Sequence, residues 1–224
     1  MILSPTLLEG SGLSAGEASK IKNIVFDFGG VLIELLPEKV GETLEKFGYR
    51  ESKTIFARLD KEGIFDLMDI GMKPEVFRDT IREVTGLPLK DHQVDEAFMA
   101  ILGQFRPSNF PILRTLQKQY KTFVLSNTNL IHSPRFIDFY LEQTGSNIFL
   151  GFDGVFYSHD LESRKPDRII FERFAESAGI HPAESLFIDD LPWNVEGARN
   201  AGFHAFWMNL EVCKDLRPLF MTAG

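Results

Sequence analysis

The stretch Asn23-Ile24-Val25-Phe26-Asp27-Phe28-Gly29-Gly30-Val31-Leu32 is an apolar run that meets a carboxylate and then two glycines. Its unbroken hydrophobicity, without the alternation of a half-exposed strand, reads as a strand buried on both faces that ends in a tight loop. An ionised carboxylate at such a strand end is costly unless something compensates it, and a metal ion would do so. Gly29 and Gly30 permit backbone conformations closed to other residues, so a carbonyl can turn toward a metal and amides toward a phosphate. Taken alone, Asp27 reads better as a loop or helix cap. Its companions along the chain change that reading.

Similar bursts recur at Thr122-Phe123-Val124-Leu125-Ser126, at Ser185-Leu186-Phe187-Ile188-Asp189 and at His204-Ala205-Phe206-Trp207-Met208, each ending in or running into polar residues. Helical spacing precedes each one: Ile112, Leu113 and Leu116, then Ile169, Ile170 and Phe174, then Val195 and Ala198. Alternating strands and helices argue for an α/β fold, a parallel sheet covered on both faces, and such sheets take ligands beyond the carboxyl ends of their strands. The polar strand ends therefore share one rim.

Between Pro37 and Pro107 the pattern changes to helices alone, with Val40, Leu44 and Phe47, then Ile55 and Leu59, then Val76, Ile81 and Val84, then Val94, Phe98 and Ile101 at helical spacing. Gly48 and Gly86 read as helix stops, Pro74 as a first-turn residue and Asp91 as an N-cap. About four short helices are thus expected as a cap over residues 37–107, inserted into a core formed by residues 21–36 and 108–224. Residues 1–20 lack the charged start and long apolar centre of a secretory signal and read as a loosely ordered extension.

The chain has 224 residues, 44% of them hydrophobic and 25% charged, an ordinary mixture for a globular protein rather than a disordered or fibrous one. A net charge of −8 disfavours broad contact with nucleic acid, which needs clustered Lys and Arg, and fits a metabolite-sized partner better. No run reaches the roughly 18 apolar residues of a membrane span. The single cysteine, Cys213, excludes an internal disulfide and reads as a packing residue suited to a reducing cytoplasm. The five histidines lack ligand spacing, so zinc is not expected.

Chemistry-bearing residues cluster at the other strand ends. Ser126 and Asn127 offer a hydroxyl and an amide, both able to bind a phosphoryl oxygen, although alone they would more often cap a helix. In Ser163-Arg164-Lys165-Pro166-Asp167, Pro166 pushes Lys165 toward an extended conformation just before a helix, where its charge can reach the rim and offset charge on a transferring phosphoryl group. Arg164 reads as a solvated surface charge. Asp189 and Asp190 would repel each other unless a cation or hydrogen bonds intervened, and oxygen ligands suit Mg²⁺. A carboxylate held against Mg²⁺ can attack phosphorus and form an aspartyl-phosphate, which splits one hard displacement into two easier ones. Asn194 is expected to cap or orient the following helix. Phe65, Met68 and Met72 read as core packing rather than pocket lining.

Together, Phe26-Asp27-Phe28-Gly29-Gly30-Val31-Leu32, Leu125-Ser126-Asn127-Thr128, Lys165-Pro166 and Ile188-Asp189-Asp190 with Asn194 through Gly202 resemble the motifs of the haloacid dehalogenase (HAD) superfamily, in order and across residues 24–209. The resemblance implies a Rossmann-like core with an inserted α-helical cap domain, and a Mg²⁺-dependent hydrolase, a phosphatase of a small phosphorylated metabolite. It implies Asp27 as nucleophile and metal ligand, the Gly29 carbonyl and Asp190 as further ligands, Asp189 as a ligand directly or through water, and Ser126, Asn127 and Lys165 around the phosphoryl group.

One departure matters. Phosphatases of the family usually carry a second aspartate two residues after the nucleophile, acting as general acid and base, and here that position is Gly29. Loss of such a group typically removes about 10²- to 10⁴-fold in rate. In this the sequence resembles the branch with sugar-1-phosphate phosphatases that share the Asp-x-Gly pattern and whose leaving groups need less help; a cap residue or water is the other substitute. The 2-haloacid dehalogenases of the family also lack that aspartate and use no metal, but an acidic pair beside an anionic substrate argues against that chemistry. A catalytically quiet binding or regulatory protein has no need to keep Asp27, Lys165 and the pair together.

Overall fold

In the computed structural model, which describes residues 2–221, the segment expected as a loose extension is packed. Strand β1 (Ile2–Leu3) pairs antiparallel with Phe220 and Met221, and helices α1 (Pro5–Ser11) and α2 (Ala15–Ala18) follow. Local signals hold them. The Ser4 hydroxyl accepts from Leu7 N at 3.1 Å, Pro5 occupies the first helical position, and Ser14 with Glu17 forms a capping box. Leu3, Leu7 and Leu13 enter the main core, and burial at roughly 1.5–3 kcal/mol per side chain fixes the segment there.

Strand β2 (Asn23–Phe26) is buried throughout, and β3 (Ile33–Leu35) follows the Asp27 loop. Next come α3 (Pro37–Lys46), α4 (Ser52–Lys61), α5 (Ile64–Asp69), α6 (Pro74–Thr85) and α7 (Asp91–Met99), packed around their own cluster, which includes Leu44, Leu59, Phe77, Ile81 and Val94. The block has five helices rather than about four because Gly63, at φ 69°, separates α4 from α5. The chain returns through β4 (Leu102–Phe105), antiparallel to β3. This strand corrects the expectation of helices alone up to Pro107: Leu102-Gly103-Gln104-Phe105, broken by Gly103 and Gln104, prints no apolar run.

Beyond it the core alternates α8 (Asn109–Leu116), β5 (Lys121–Ser126), α9 (Phe136–Thr144), β6 (Gly154–Tyr157), α10 (Arg168–Ala178), β7 (Ser185–Asp189), α11 (Pro192–Asn200) and β8 (His204–Trp207), closing with β9 (Phe220–Met221). The main sheet runs β6-β5-β2-β7-β8 with every neighbouring pair parallel, a Rossmann-like arrangement. Both faces are covered: Ile24, Phe26, Leu186 and Ile188 point into one cluster, and Val25 and Phe187 into the opposite one with Phe171, Phe174 and Val195. That two-sided burial is why these strands read as continuous apolar runs. No helix among the described residues is long and apolar enough to cross a membrane.

Candidate active site

Register sets the site. Phe26 lies opposite Val124 on one side and Ile188 on the other, and Asp27 N donates to Ile188 O at 2.8 Å. Asp27, Ser126 and Asp189 therefore leave the sheet along one edge. The loop before α10 brings Lys165 to the same place. Its Nζ donates to Asp27 Oδ1 and to Asp189 Oδ2, each at 2.7 Å, and the side chain is 1% exposed. Asp189 is buried beneath, also accepting from Leu191 N at 2.9 Å and from Asn194 Nδ2 at 3.1 Å. Asn194 lies in the first turn of α11 without capping it; its amide instead orients Asp189, and its buried Oδ1 has no protein partner.

Ligand oxygens of Asp27, Asp189 and Asp190 lie within 4.8 Å of one another. One ammonium among three carboxylates leaves excess negative charge. Burial accordingly pushes the Asp27 carboxyl up to about 8 against the pull of Lys165, and burial, then the Asp189 charge, pushes Asp190 up to about 6. Burial works against the Lys165 ammonium too, but Asp189 and Asp27 outweigh it and hold its titration above the usual lysine range. Gly30 shapes this corner. It sits at φ 77°, and a Cβ there would lie 2.3 Å from Asp190 Oδ2, so only glycine lets the carboxylate stand against the loop.

These groups open into a cavity of about 340 Å³ between the sheet edge and the inserted helices. Asp27, Gly29, Ser126, Asn127, Lys165 and Asp190 line its floor, and Phe56, Phe65, Met68 and Phe98 line its far wall. Phe65 and Met68 thus line the cavity as well as packing in the helical cluster, whereas Met72 only packs against that cluster. Ser126 Oγ makes only a long contact, 3.4 Å to Asn127 O, and faces the cavity with its hydroxyl available. The Asn127 amide has a second duty that its sequence position does not reveal: Nδ2 donates to Lys165 O at 2.9 Å and Oδ1 accepts from Lys165 N at 2.8 Å.

Three further residues were not legible as site residues. Arg164, expected as a solvated charge, lines the cavity and pairs across to the inserted helices, with Asp69 Oδ2 accepting from its Nε at 3.2 Å and Asp66 accepting from Nη1. Asp69 also lines the cavity. No local signal marks the pair, whose members lie 95 residues apart. His132 lies in the wall as well. Its Nε2 donates to Phe98 O at 3.0 Å, which leaves Nδ1 to accept from Asn129 Nδ2 at 3.1 Å, and burial holds the ring neutral by pushing it down to about 4.

A carboxylate-bearing loop, a buried lysine and an acidic pair stand together at the carboxyl edge of a parallel sheet, an arrangement of the HAD hydrolase type. A family model, "haloacid dehalogenase-like hydrolase", matches residues 21–202, and the chain belongs to that family. It is 28% identical over 192 residues to D-ribitol-5-phosphate phosphatase of Bacteroides thetaiotaomicron, covering 83% of this chain and 91% of that one. Among solved structures it resembles a HAD family enzyme of Bacteroides thetaiotaomicron in complex with magnesium and inorganic phosphate, at 32% identity and TM-score 0.75, covering 84% of this chain and 93% of that one. A HAD-like hydrolase of Porphyromonas gingivalis is 33% identical at TM-score 0.74, covering 84% and 91%.

Proposed function

We propose that the chain is a Mg²⁺-dependent phosphatase of a small phosphorylated metabolite that works through an aspartyl-phosphate on Asp27. One observation carries the reading: the Lys165 ammonium bridges Asp27 and Asp189 at the floor of a cavity where Asp190 adds a further uncompensated carboxylate. The donor set fits Mg²⁺, being all hard carboxylate oxygens, and among the described residues no histidine or cysteine joins the cluster. Asp27, Asp190 and the Gly29 carbonyl would hold the ion, with Asp189 reached directly or through water. When bound, Mg²⁺ supplies charge to offset the phosphoryl oxygens.

The protein's own groups do the rest. Asp27 is aimed at the cavity by its hydrogen bond to β7 and attacks phosphorus. Lys165 balances the charge that develops on the transferring group. Ser126 Oγ and the remaining N–H of the Asn127 amide hold phosphoryl oxygens. Helices α3 to α7 act as the cap that closes over the leaving group and excludes water from the reaction. Similarity to a ribitol phosphate phosphatase supports a phosphorylated polyol or sugar as the first candidate substrate. The buried free thiol of Cys213 suits a cytoplasmic enzyme.

The test is a panel of sugar and polyol phosphates, acyl phosphates and 2-haloacids, each with Mg²⁺ and with EDTA. Phosphate release that EDTA abolishes is the expected result. Halide release insensitive to EDTA would select the dehalogenase, and no turnover anywhere a binding protein.

A further inference from the structure

Phosphomonoester hydrolysis through an aspartyl-phosphate moves a proton twice. An alkoxide leaving group must gain one, and the water that opens the aspartyl-phosphate must lose one. The position from which relatives of this fold supply that proton is Gly29 here, which carries no side chain, and Leu35 Cδ1 lies 2.8 Å from where its Cβ would stand. The titratable side chains lining the cavity are Asp27, Asp69, His132, Arg164, Lys165 and Asp190. Asp27, Lys165 and Asp190 are taken up by the nucleophile, its counter-charge and the metal. Arg164 does not release its proton. His132 has both ring nitrogens engaged and is held neutral.

Asp69 remains, and it is the one carboxylate that the inserted helices present to this cavity among the described residues. It closes α5, its side chain is 14% exposed, and the ion pair with Arg164 engages only one of its two oxygens. Arg164 is the neighbour of Lys165, whose Nζ stands 2.7 Å from Asp27, so the cap carboxylate is tethered to the segment that delivers the catalytic ammonium. We propose that Asp69 is the general acid and base of the reaction, supplied by the cap in place of the group missing at Gly29. The inference rests on the phosphatase reading above.

In the first step Asp27 Oδ bonds to phosphorus, the bond from phosphorus to the leaving oxygen breaks with its electron pair on that oxygen, and the Asp69 proton passes to it. In the second, water oxygen bonds to phosphorus, the Asp27–phosphorus bond breaks, and the water proton returns to Asp69. Alcohol and phosphate leave and both aspartates are restored. Burial supports the assignment by lifting the Asp69 carboxyl to about 6 against the pull of Arg164, with Asp66 adding to the rise and Lys165 opposing it, so a protonated fraction persists near neutrality.

The test is steady-state kinetics of the full chain with Mg²⁺ on phosphomonoesters graded by leaving-group acidity, from p-nitrophenyl phosphate to alkyl phosphates. Asp69→Asn is expected to lower kcat/KM for alkyl esters about 10²-fold or more, at least about ten times the loss on p-nitrophenyl phosphate, so that the rate comes to depend steeply on leaving-group pKa. Asp69→Glu recovers part of the alkyl rate. Asp66→Asn, which loosens the same arginine from outside the cavity, slows all esters alike. A uniform loss in Asp69→Asn, or none, reduces Asp69 to a structural partner of Arg164 and overturns the proposal. If the wild type hydrolyses no ester the phosphatase reading falls and this one with it, whereas an active wild type silenced by Asp27→Asn keeps that reading whatever Asp69 does.

Discussion

The side-chain amide of Asn127 grips the backbone of Lys165 at both ends, donating to its carbonyl at 2.9 Å and accepting from its N–H at 2.8 Å. This clamp joins the end of β5 to the loop before α10, two segments 38 residues apart, and sets where the Lys165 ammonium stands. Asn127→Ala leaves two partly buried backbone groups unpaired at about 1–3 kcal/mol. A fall in melting temperature is expected together with a drop of roughly ten- to a hundredfold in kcat that exceeds any rise in KM, because the lysine stabilises transferring charge more than bound substrate. Thermal melts and phosphate-release kinetics on one preparation check both. A loss confined to KM would place Asn127 on the substrate alone.

Gly30 gives a second prediction. An alanine there meets Asp190 Oδ2 at 2.3 Å while holding φ near 77°, so the carboxylate has to swing away from Asp27. Gly30→Ala is expected to weaken Mg²⁺ about tenfold or more, since displaced ligation typically costs 10- to 100-fold in metal affinity. Isothermal titration with Mg²⁺ measures it. Unchanged affinity would remove Asp190 from the metal site.

A third concerns acid. Burial holds His132 down at about 4 against an ordinary imidazole value of 6.5, so as pH falls the unfolded chain takes up this proton first. The neutral ring's contribution is whole above about pH 6.5 and is lost progressively toward pH 4. Denaturant melts of wild type and His132→Gln should show the wild type losing about 2 kcal/mol more between pH 7.5 and pH 5. Parallel curves would mean the imidazole is reached by solvent.

Much of this was legible before the structure, for a physical reason. Strands covered on both faces print as continuous apolar runs, so Asp27, Ser126 and Asp189 announced themselves as polar ends of such runs, and the Pro166 and Gly29-Gly30 signals located the loops between them. The two N-terminal helices were missed, the segment having read as a loose extension, although Ser4-Pro5 and Ser14 with Glu17 carry cap signals that need no distant partner. What escaped depends on the third dimension. β4 and β6 are no shorter than β2 and β8, but β4 carries Gly103 and Gln104 and β6 is a partly exposed edge strand, so neither prints the buried run that the inner strands do. The Asn127 clamp and the Arg164–Asp69 pair join segments far apart in sequence, and a lone arginine or a helix-ending aspartate looks like any surface charge until the helices fold over the sheet edge.

Every step of the proposed reaction turns on Asp27 as the nucleophile. The most direct measurement is Mg²⁺-dependent phosphate release by wild type and Asp27→Asn on the best substrate of the panel, with melting curves confirming that both are folded. Removing the attacking oxygen is expected to lower kcat at least about 10³-fold. A folded Asp27→Asn protein turning over within about tenfold of wild type would contradict it.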